Sequence, residues 1–175
     1  MTLMNSIRKT GRAVGSAVTG NRPGPGETDI LDTLKKEHEE ASELLAKLVD
    51  SEKAAERRSI LKKLKGALAP HLVAEDKIVY RAVLTLREKD AKIDGREGQL
   101  EHAIALQTLK KLSRMTNAAS PEFSAAAKVL KELVEHHVRE EERNIWSDVR
   151  ENFSEEDRMA MNAAFEAAKK KVRVP

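Results

Sequence analysis

Apolar residues recur along much of this chain at alternating intervals of three and four, the repeat that gathers them on one side of an α-helix. The first stripe reads Leu31, Leu34, His38, Ala41, Leu45 and Leu48, and predicts a helix from about Asp29 to Val49. A second, Leu64, Leu68, His71, Glu75, Ile78 and Ala82, predicts a helix from about Lys53 to Leu86. Pro70 falls in its middle, where the ring removes one hydrogen bond and crowds the carbonyl four residues back. That residue is Gly66, whose backbone adjusts with least strain, so one kinked, continuous helix is expected rather than two. Gly98, His102, Ala105, Leu109 and Leu112 mark a third helix from about Arg96 to Met115. The fourth opens at Ser120-Pro121, a capping hydroxyl followed by a proline whose missing donor costs nothing there, and carries Ala127, Leu130, Val134, His137 and Glu141. A shorter fifth helix starts at Ser154, with Glu155, Glu156 and Asp157 at its positive end. Its apolar edge of Met161, Phe165, Ala168 and Val172 is narrow, so it is expected on the outside of the other four. Short turns separate these elements, and β-branched and aromatic residues never cluster as strands require. The pattern predicts an all-α protein, an up-down-up-down four-helix bundle with a short C-terminal helix.

The two halves of the bundle repeat each other. His38, Ala41, Leu45 and Leu48 are matched at an offset of 64 by His102, Ala105, Leu109 and Leu112, and Glu37 by Glu101. His71, Glu75, Asp76, Val79 and Tyr80 are matched at an offset of 66 by His137, Glu141, Glu142, Ile145 and Trp146. Such a repeat implies a pseudo-twofold axis through the bundle.

Composition narrows the chemistry. More than half of the chain is Ala, Leu, Glu, Lys and Arg, as long helices require, and there is no Cys. Disulfides, thiolate zinc sites, iron–sulfur clusters and Cys nucleophiles are therefore excluded. No apolar run approaches the length of about 18 that spans a membrane, and the start does not resemble a secretory signal, so a cytoplasmic protein is expected. Charge is uneven: Arg8, Lys9, Arg12 and Arg22 are the only charges before Glu27, while the remainder is almost balanced. With the basic excess in the tail, no nucleic-acid partner is expected. Pro23, Gly24, Pro25 and Gly26 end this segment, so residues 1–27 read as a basic flexible tail and linker, and 28–175 as the bundle. Leu3, Ile7, Val14 and Val18 share one helical face that would suit a membrane surface or a protein partner, but Gly11, Gly15 and Gly20 favour disorder.

The chemistry lies in the stripes themselves. His38, His71, His102 and His137 occupy core positions on four different helices, and Glu75 and Glu141 follow two of them by one turn. A lone core histidine is ordinarily just hydrogen-bonded, but two unpaired carboxylates in one core require a cation. Six donors exceed a single tetrahedral zinc site and suit two ions. If each ion takes two imidazoles and both carboxylates bridge, each has four protein donors, and a solvent bridge makes five. Imidazole and carboxylate without thiolate suit iron, and also manganese or zinc.

This pattern, His38, then His71-x-x-x-Glu75, then His102, then His137-x-x-x-Glu141, with Tyr80 and Trp146 nine residues after the second and fourth His, resembles the hemerythrin-like, or HHE cation-binding, proteins. The resemblance covers residues 28 to about 170. It implies a four-helix bundle holding two non-haem iron ions with an oxo or hydroxo bridge, Glu75 and Glu141 as bridging carboxylates and the four His as terminal ligands. The oxygen-carrying members have a second His four residues after the helix-three ligand, where this chain has Leu106. The symmetric ligand set that results favours reaction with O2, hydrogen peroxide or nitric oxide over reversible O2 carriage. Peroxide-consuming or nitric oxide-reducing activity and a non-enzymatic iron or oxygen sensor are both compatible with it, in a monomer or weak homo-oligomer, and no dedicated catalytic base stands out.

His136 and Glu140 share the same i, i+4 spacing, but register favours His137. Val134 and Leu130 precede His137 as Leu68 and Leu64 precede His71, so His136 is expected at the surface or behind the ligands. Glu37, Glu39, Glu40, Asp76, Glu101 and Glu142 are expected to face solvent or to back the imidazoles. Arg57-Arg58, Lys62-Lys63 and Lys169 to Lys171 read as solubilising clusters.

Overall fold

In the computed structural model, residues 28–173 are described. The expectations for residues 1–27, the tail and its docking, lie outside them. Among the described residues every regular element is helical. Helix α1 spans Ile30–Asp50, α2 Ala54–Glu75, α3 Lys89–Arg114, α4 Pro121–Glu140 and α5 Glu155–Lys169. α2 and α4 do not stop at their glutamates. Each passes through one π-helical turn, Asp76–Tyr80 and Glu141–Ile145, into a further α segment, Arg81–Val83 and Trp146–Asn152. α1 packs on α2 and α4, and α3 packs on α4 and α2.

The caps follow their residue types. Asp29 accepts a hydrogen bond from the Leu31 amide (3.0 Å) and Ser120 from the Phe123 amide (3.1 Å). Ser154 and Asp157 form a reciprocal capping box at the start of α5. Pro70 lies inside α2, which is continuous through it. The expected starts hold within a residue or two except for α3, which begins at Lys89, seven residues before Arg96. The one large apolar residue of the early stretch, Ile93, is exposed; its buried face is Ala91, Gly95 and Gly98, small enough for α3 to press against the end of the preceding helical arm.

The core is a sandwich of two apolar clusters. Leu45, Leu48, Leu64, Leu68, Leu109, Leu112, Phe123 and Leu130 belong to one, and Ile30, Leu34, Val79, Tyr80, Val83, Trp146, Val149 and Phe165 to the other. On each of the four long helical arms the chain passes from one cluster to the other through a histidine. The polar stripe residues thus form a single layer with apolar packing on both sides.

Two surface expectations need correction. Arg57 is buried: its guanidinium donates to the Ser51 carbonyl, to the Ala118 carbonyl (2.8 Å) and to Ser124 Oγ (2.9 Å), and it lies over the Phe123 ring. Arg58 donates to the Met115 (3.1 Å) and Thr116 carbonyls. The pair clasps the α3–α4 connection, whose carbonyls no helix satisfies. α5 lies across the outer face of α1 and α2 and buries Phe165 there. Lys169 is likewise no solubilising charge; it pairs with Glu37 and Glu166. Val172 lies beyond the end of α5.

Replacing Arg57 by Ala leaves two carbonyls and a hydroxyl without a donor, so Arg57→Ala is expected to lower unfolding stability by about 2–4 kcal/mol. Urea denaturation measures this. A change below about 0.5 kcal/mol, the range of ordinary surface substitutions, would show the clasp to be energetically idle.

Candidate metal centre

His38, His71, Glu75, His102, His137 and Glu141 all converge in the polar layer, none more than 4% exposed. The i, i+4 spacing puts Glu75 Oε2 3.2 Å from His71 Nε2, and Glu141 Oε2 3.3 Å from His137 Nε2. Each carboxylate also reaches a second helix: Glu75 Oε2 lies 3.5 Å from His102 Nε2, and Glu141 Oε2 3.5 Å from His38 Nε2. His102 Nε2 and His137 Nε2 are 2.9 Å apart. Donors about 2.1 Å from one ion and at right angles to each other are separated by about 3.0 Å, so these spacings suit neighbours around shared cations.

The far side of every imidazole is held by a carboxylate. His71 Nδ1 meets Glu37 Oε2 (2.9 Å) and His137 Nδ1 meets Glu101 Oε2 (2.8 Å). His102 Nδ1 meets Asp76 Oδ1 (2.9 Å) and His38 Nδ1 meets Glu142 Oε1 (3.1 Å). An Nδ1–H donated outward fixes the tautomer that turns the Nε2 lone pair inward, and the carboxylate raises the basicity of the ring. The four pairs follow the repeat: the residue before the His of α1 or α3 serves the His of α2 or α4, and the residue after each buried Glu serves the reciprocal His. Spacing alone left these four acids between solvent and the imidazoles; the fold gives all four to the imidazoles.

The π turns were not foreseen, although the sequence carried a trace of them. In a straight α-helix, a residue five after the glutamate points about 140° away from it; one extra residue in the turn brings it back to about 40°. Tyr80 thereby sets its ring edge-on to His102 (5.1 Å), and Trp146 stacks on His38 (5.9 Å, 15°). The same insertion moves the apolar stripe of the second arm by one place, from the expected Ile78 and Ala82 to Val79 and Val83, which are buried. Tyr80 in turn needs Gly98: a Cβ there would fall 2.5 Å from its Cζ.

The buried carboxylates and imidazoles of the layer perturb one another strongly. Burial, then the Glu141 charge, pushes the Glu75 carboxyl well above its usual range. Burial acts the same way on Glu141, but the neighbouring imidazoles of His137 and His38 outweigh it and hold that carboxyl below its usual range. Burial opposes a charge on His137, yet the hydrogen-bonded Glu101 and the nearby Glu141 carboxylate raise it to about 10. Both oxygens of Glu75, both of Glu141, and His38 Nε2 have no hydrogen-bond partner while fully buried. Native structures rarely leave such atoms unsatisfied. Orphaned carboxylates set among lone pairs aimed at them fit a bound cation, and the absence of thiolates suits iron, manganese or zinc.

Two triads have their donor atoms within 4.8 Å of one another, His38–His71–Glu75 and Glu75–His102–His137. Glu75 is common to both. A third group, Glu97, Glu101 and His136, lies at the surface, and reasoning from the stripes missed it because only Glu101 borders the core.

An all-helical protein with such a layer belongs to the class of helical cation-binding proteins. Residues 29–147 match the model of the hemerythrin HHE cation binding domain, and the chain belongs to that family. It is also similar to a curated protein of Nostoc sp. (strain PCC 7120 / SAG 25.82 / UTEX 2576) named DNA nickase, with 26% identity over 171 residues, 98% of this chain and 47% of that protein. The chain therefore spans about half the length of the curated relative it matches. No solved structure matches it.

Gly98→Ala is expected to displace Tyr80 and cost about 1–3 kcal/mol. At Gly66, where a Cβ would meet nothing within 4 Å, the same substitution is expected to be neutral or to stabilise by up to about 1 kcal/mol. Thermal denaturation of the two variants side by side checks the opposite signs; equal effects would remove the argument for close approach at Gly98.

Proposed function

We propose that the polar layer holds two non-haem iron ions, with His38 and His71 serving one, His102 and His137 the other, and Glu75 and Glu141 shared, and that this centre reacts with or senses O2, hydrogen peroxide or nitric oxide. The observation that carries the reading is the set of orphaned oxygens on Glu75 and Glu141, each lying between imidazoles of two helices. The packing of α1 on α2 and α4, and of α3 on α4 and α2, supports the up-down-up-down arrangement that brings the two halves face to face. Iron supplies Lewis acidity and two one-electron centres side by side.

The chain's own residues restrict what can arrive. Glu75 and Glu141 are 0% and 2% exposed. On the α3–α4 side a cavity of about 30 Å3 reaches Tyr80, His137 and Glu141, room for roughly one water-sized molecule. Phe165 lies edge-on to His71 at 5.8 Å and Trp146 stacks on His38 in the other half, where a cavity of about 220 Å3 between α1 and α2 reaches His71 and Glu37. Leu106 stands where a fifth His would make the ligand set unequal, and it packs into the apolar core. Both ions keep equivalent ligands, an arrangement suited to reaction at either rather than to reversible carriage.

The name of the Nostoc relative raises strand cleavage as a second reading. Paired metal ions do hydrolyse phosphodiesters, but the phosphate has to touch the ions. Ligands buried this deeply favour a diatomic or triatomic ligand over a DNA backbone. Incubation with supercoiled plasmid distinguishes the two: nicking that disappears in a Glu75→Ala, Glu141→Ala variant would reverse the preference.

Purified without a histidine tag, the protein is expected to contain about two irons per chain and to show a visible spectrum that azide or peroxide alters, both absent from the double variant. Chelation is expected to lower Tm by about 10 °C, since an ion present at a thousandfold its Kd stabilises by about 4 kcal/mol. Rapid peroxide consumption by the loaded protein indicates an enzyme or sink, and metal-dependent melting without turnover a sensor. A well-folded protein that refuses iron would falsify the di-iron reading.

A further inference from the structure

The pseudo-twofold repeat is broken at one place, and the break concerns a positive charge. In the first half, Glu37 uses Oε2 for His71 and Oε1 for the Lys169 ammonium, which α5 brings across. In the second half, Glu101 uses Oε2 for His137 in the same way, but no ammonium meets its outer oxygen; Oε1 instead faces His136 Nε2 at 3.5 Å. The repeat pairs Thr33 with Glu97 and Pro70 with His136. Two residues of the first half that cannot serve as good metal donors are thus replaced, around the same oxygen, by a carboxylate and an imidazole.

We infer that Glu97, Glu101 and His136 bind one divalent first-row cation on the α3–α4 surface, in the place that the Lys169 ammonium occupies in the other half. Their donor atoms lie within 4.8 Å of one another. His136 is half exposed, Glu101 is 13% exposed, and no hydrogen bond or ion pair neutralises Glu97 among the described residues. A second observation points to the same spot. The cavity bordered by Glu97 and Glu101 is also bordered by Glu141, a 2% exposed side chain with both oxygens unpartnered. An ion at the surface therefore sits at the mouth of a cavity that reaches Glu141. Imidazole with two carboxylates suits Mn2+, Fe2+ or Zn2+ rather than Ca2+ or Mg2+, which favour all-oxygen sites. The ion's effect on the buried layer passes through Glu101: it balances that carboxylate from outside, as Lys169 balances Glu37.

The site goes beyond the di-iron reading and does not require it. The test titrates Mn2+ into the untagged, iron-loaded protein and counts bound ions from the loss of the free Mn2+ resonance, with iron measured separately. One Mn2+ per chain is expected, with binding weakened about 10–100-fold in His136→Ala and in Glu97→Gln while iron content stays unchanged. Neither residue donates to the buried layer, so circular dichroism and iron content report directly whether the variants remain intact. If the buried layer proves free of iron, the His136-dependent Mn2+ is still expected, and it should survive in the Glu75→Ala, Glu141→Ala variant. Absence of Mn2+ binding, or binding equally strong in both single variants, overturns the site.

Discussion

Everything in this bundle is arranged around two carboxylates that have no donor. Glu75 and Glu141 sit between two apolar clusters, where an unpaired charge costs several kcal/mol. Four imidazoles and four outer carboxylates are built around them, and that assembly makes sense only with positive charge at its centre. The helices supply geometry that no loop could hold: each ligand is one turn from apolar residues locked in the clusters on either side. The six polar residues at the centre also join the two halves of the core, so a cation held there would stabilise the whole bundle.

The π turns show how a local irregularity serves that layer. A π turn is uncommon, and here it occurs twice, once in each repeat, starting just after Glu75 in one and at Glu141 in the other. It swings Tyr80 and Trp146 from the far side of their helices onto the imidazoles, and leaves Asp76 and Glu142 reaching the histidines of α3 and α1. Regular helices would satisfy the backbone equally well. They would leave the rings pointing away and the centre open to water.

The two halves are alike at the buried imidazoles and carboxylates and different outside them. α5 lies over α1 and α2, inserts Phe165 beside His71 and sets Lys169 on Glu37. Among the described residues nothing comparable covers the α3–α4 face, where Gly98 admits Tyr80 and a small cavity reaches Glu141. Access, outer charge and shielding are thereby distributed unequally over a symmetric donor set. At the opposite end of the bundle, Arg57 and Arg58 tie the start of α2 to the α3–α4 connection, which keeps the two halves in register.

The helical class, the six inward-facing polar residues and the internal repeat were legible in the sequence because all three depend on spacing along a single helix. His38, Ala41, Leu45 and Leu48 declare a buried face without reference to any other helix, and so do their counterparts from His102 to Leu112. What depends on the distance between helices was not legible. The outer carboxylates that hold the imidazoles come from neighbouring helices, α3 extends back to Lys89 on small residues whose value is the close approach they permit, and Arg57 looks solvated until the carbonyls of another connection surround it. Periodicity reports which way a side chain points. Only the tertiary structure decides what it meets there, because hydrogen bonds and packing form between atoms that the sequence separates by dozens of residues.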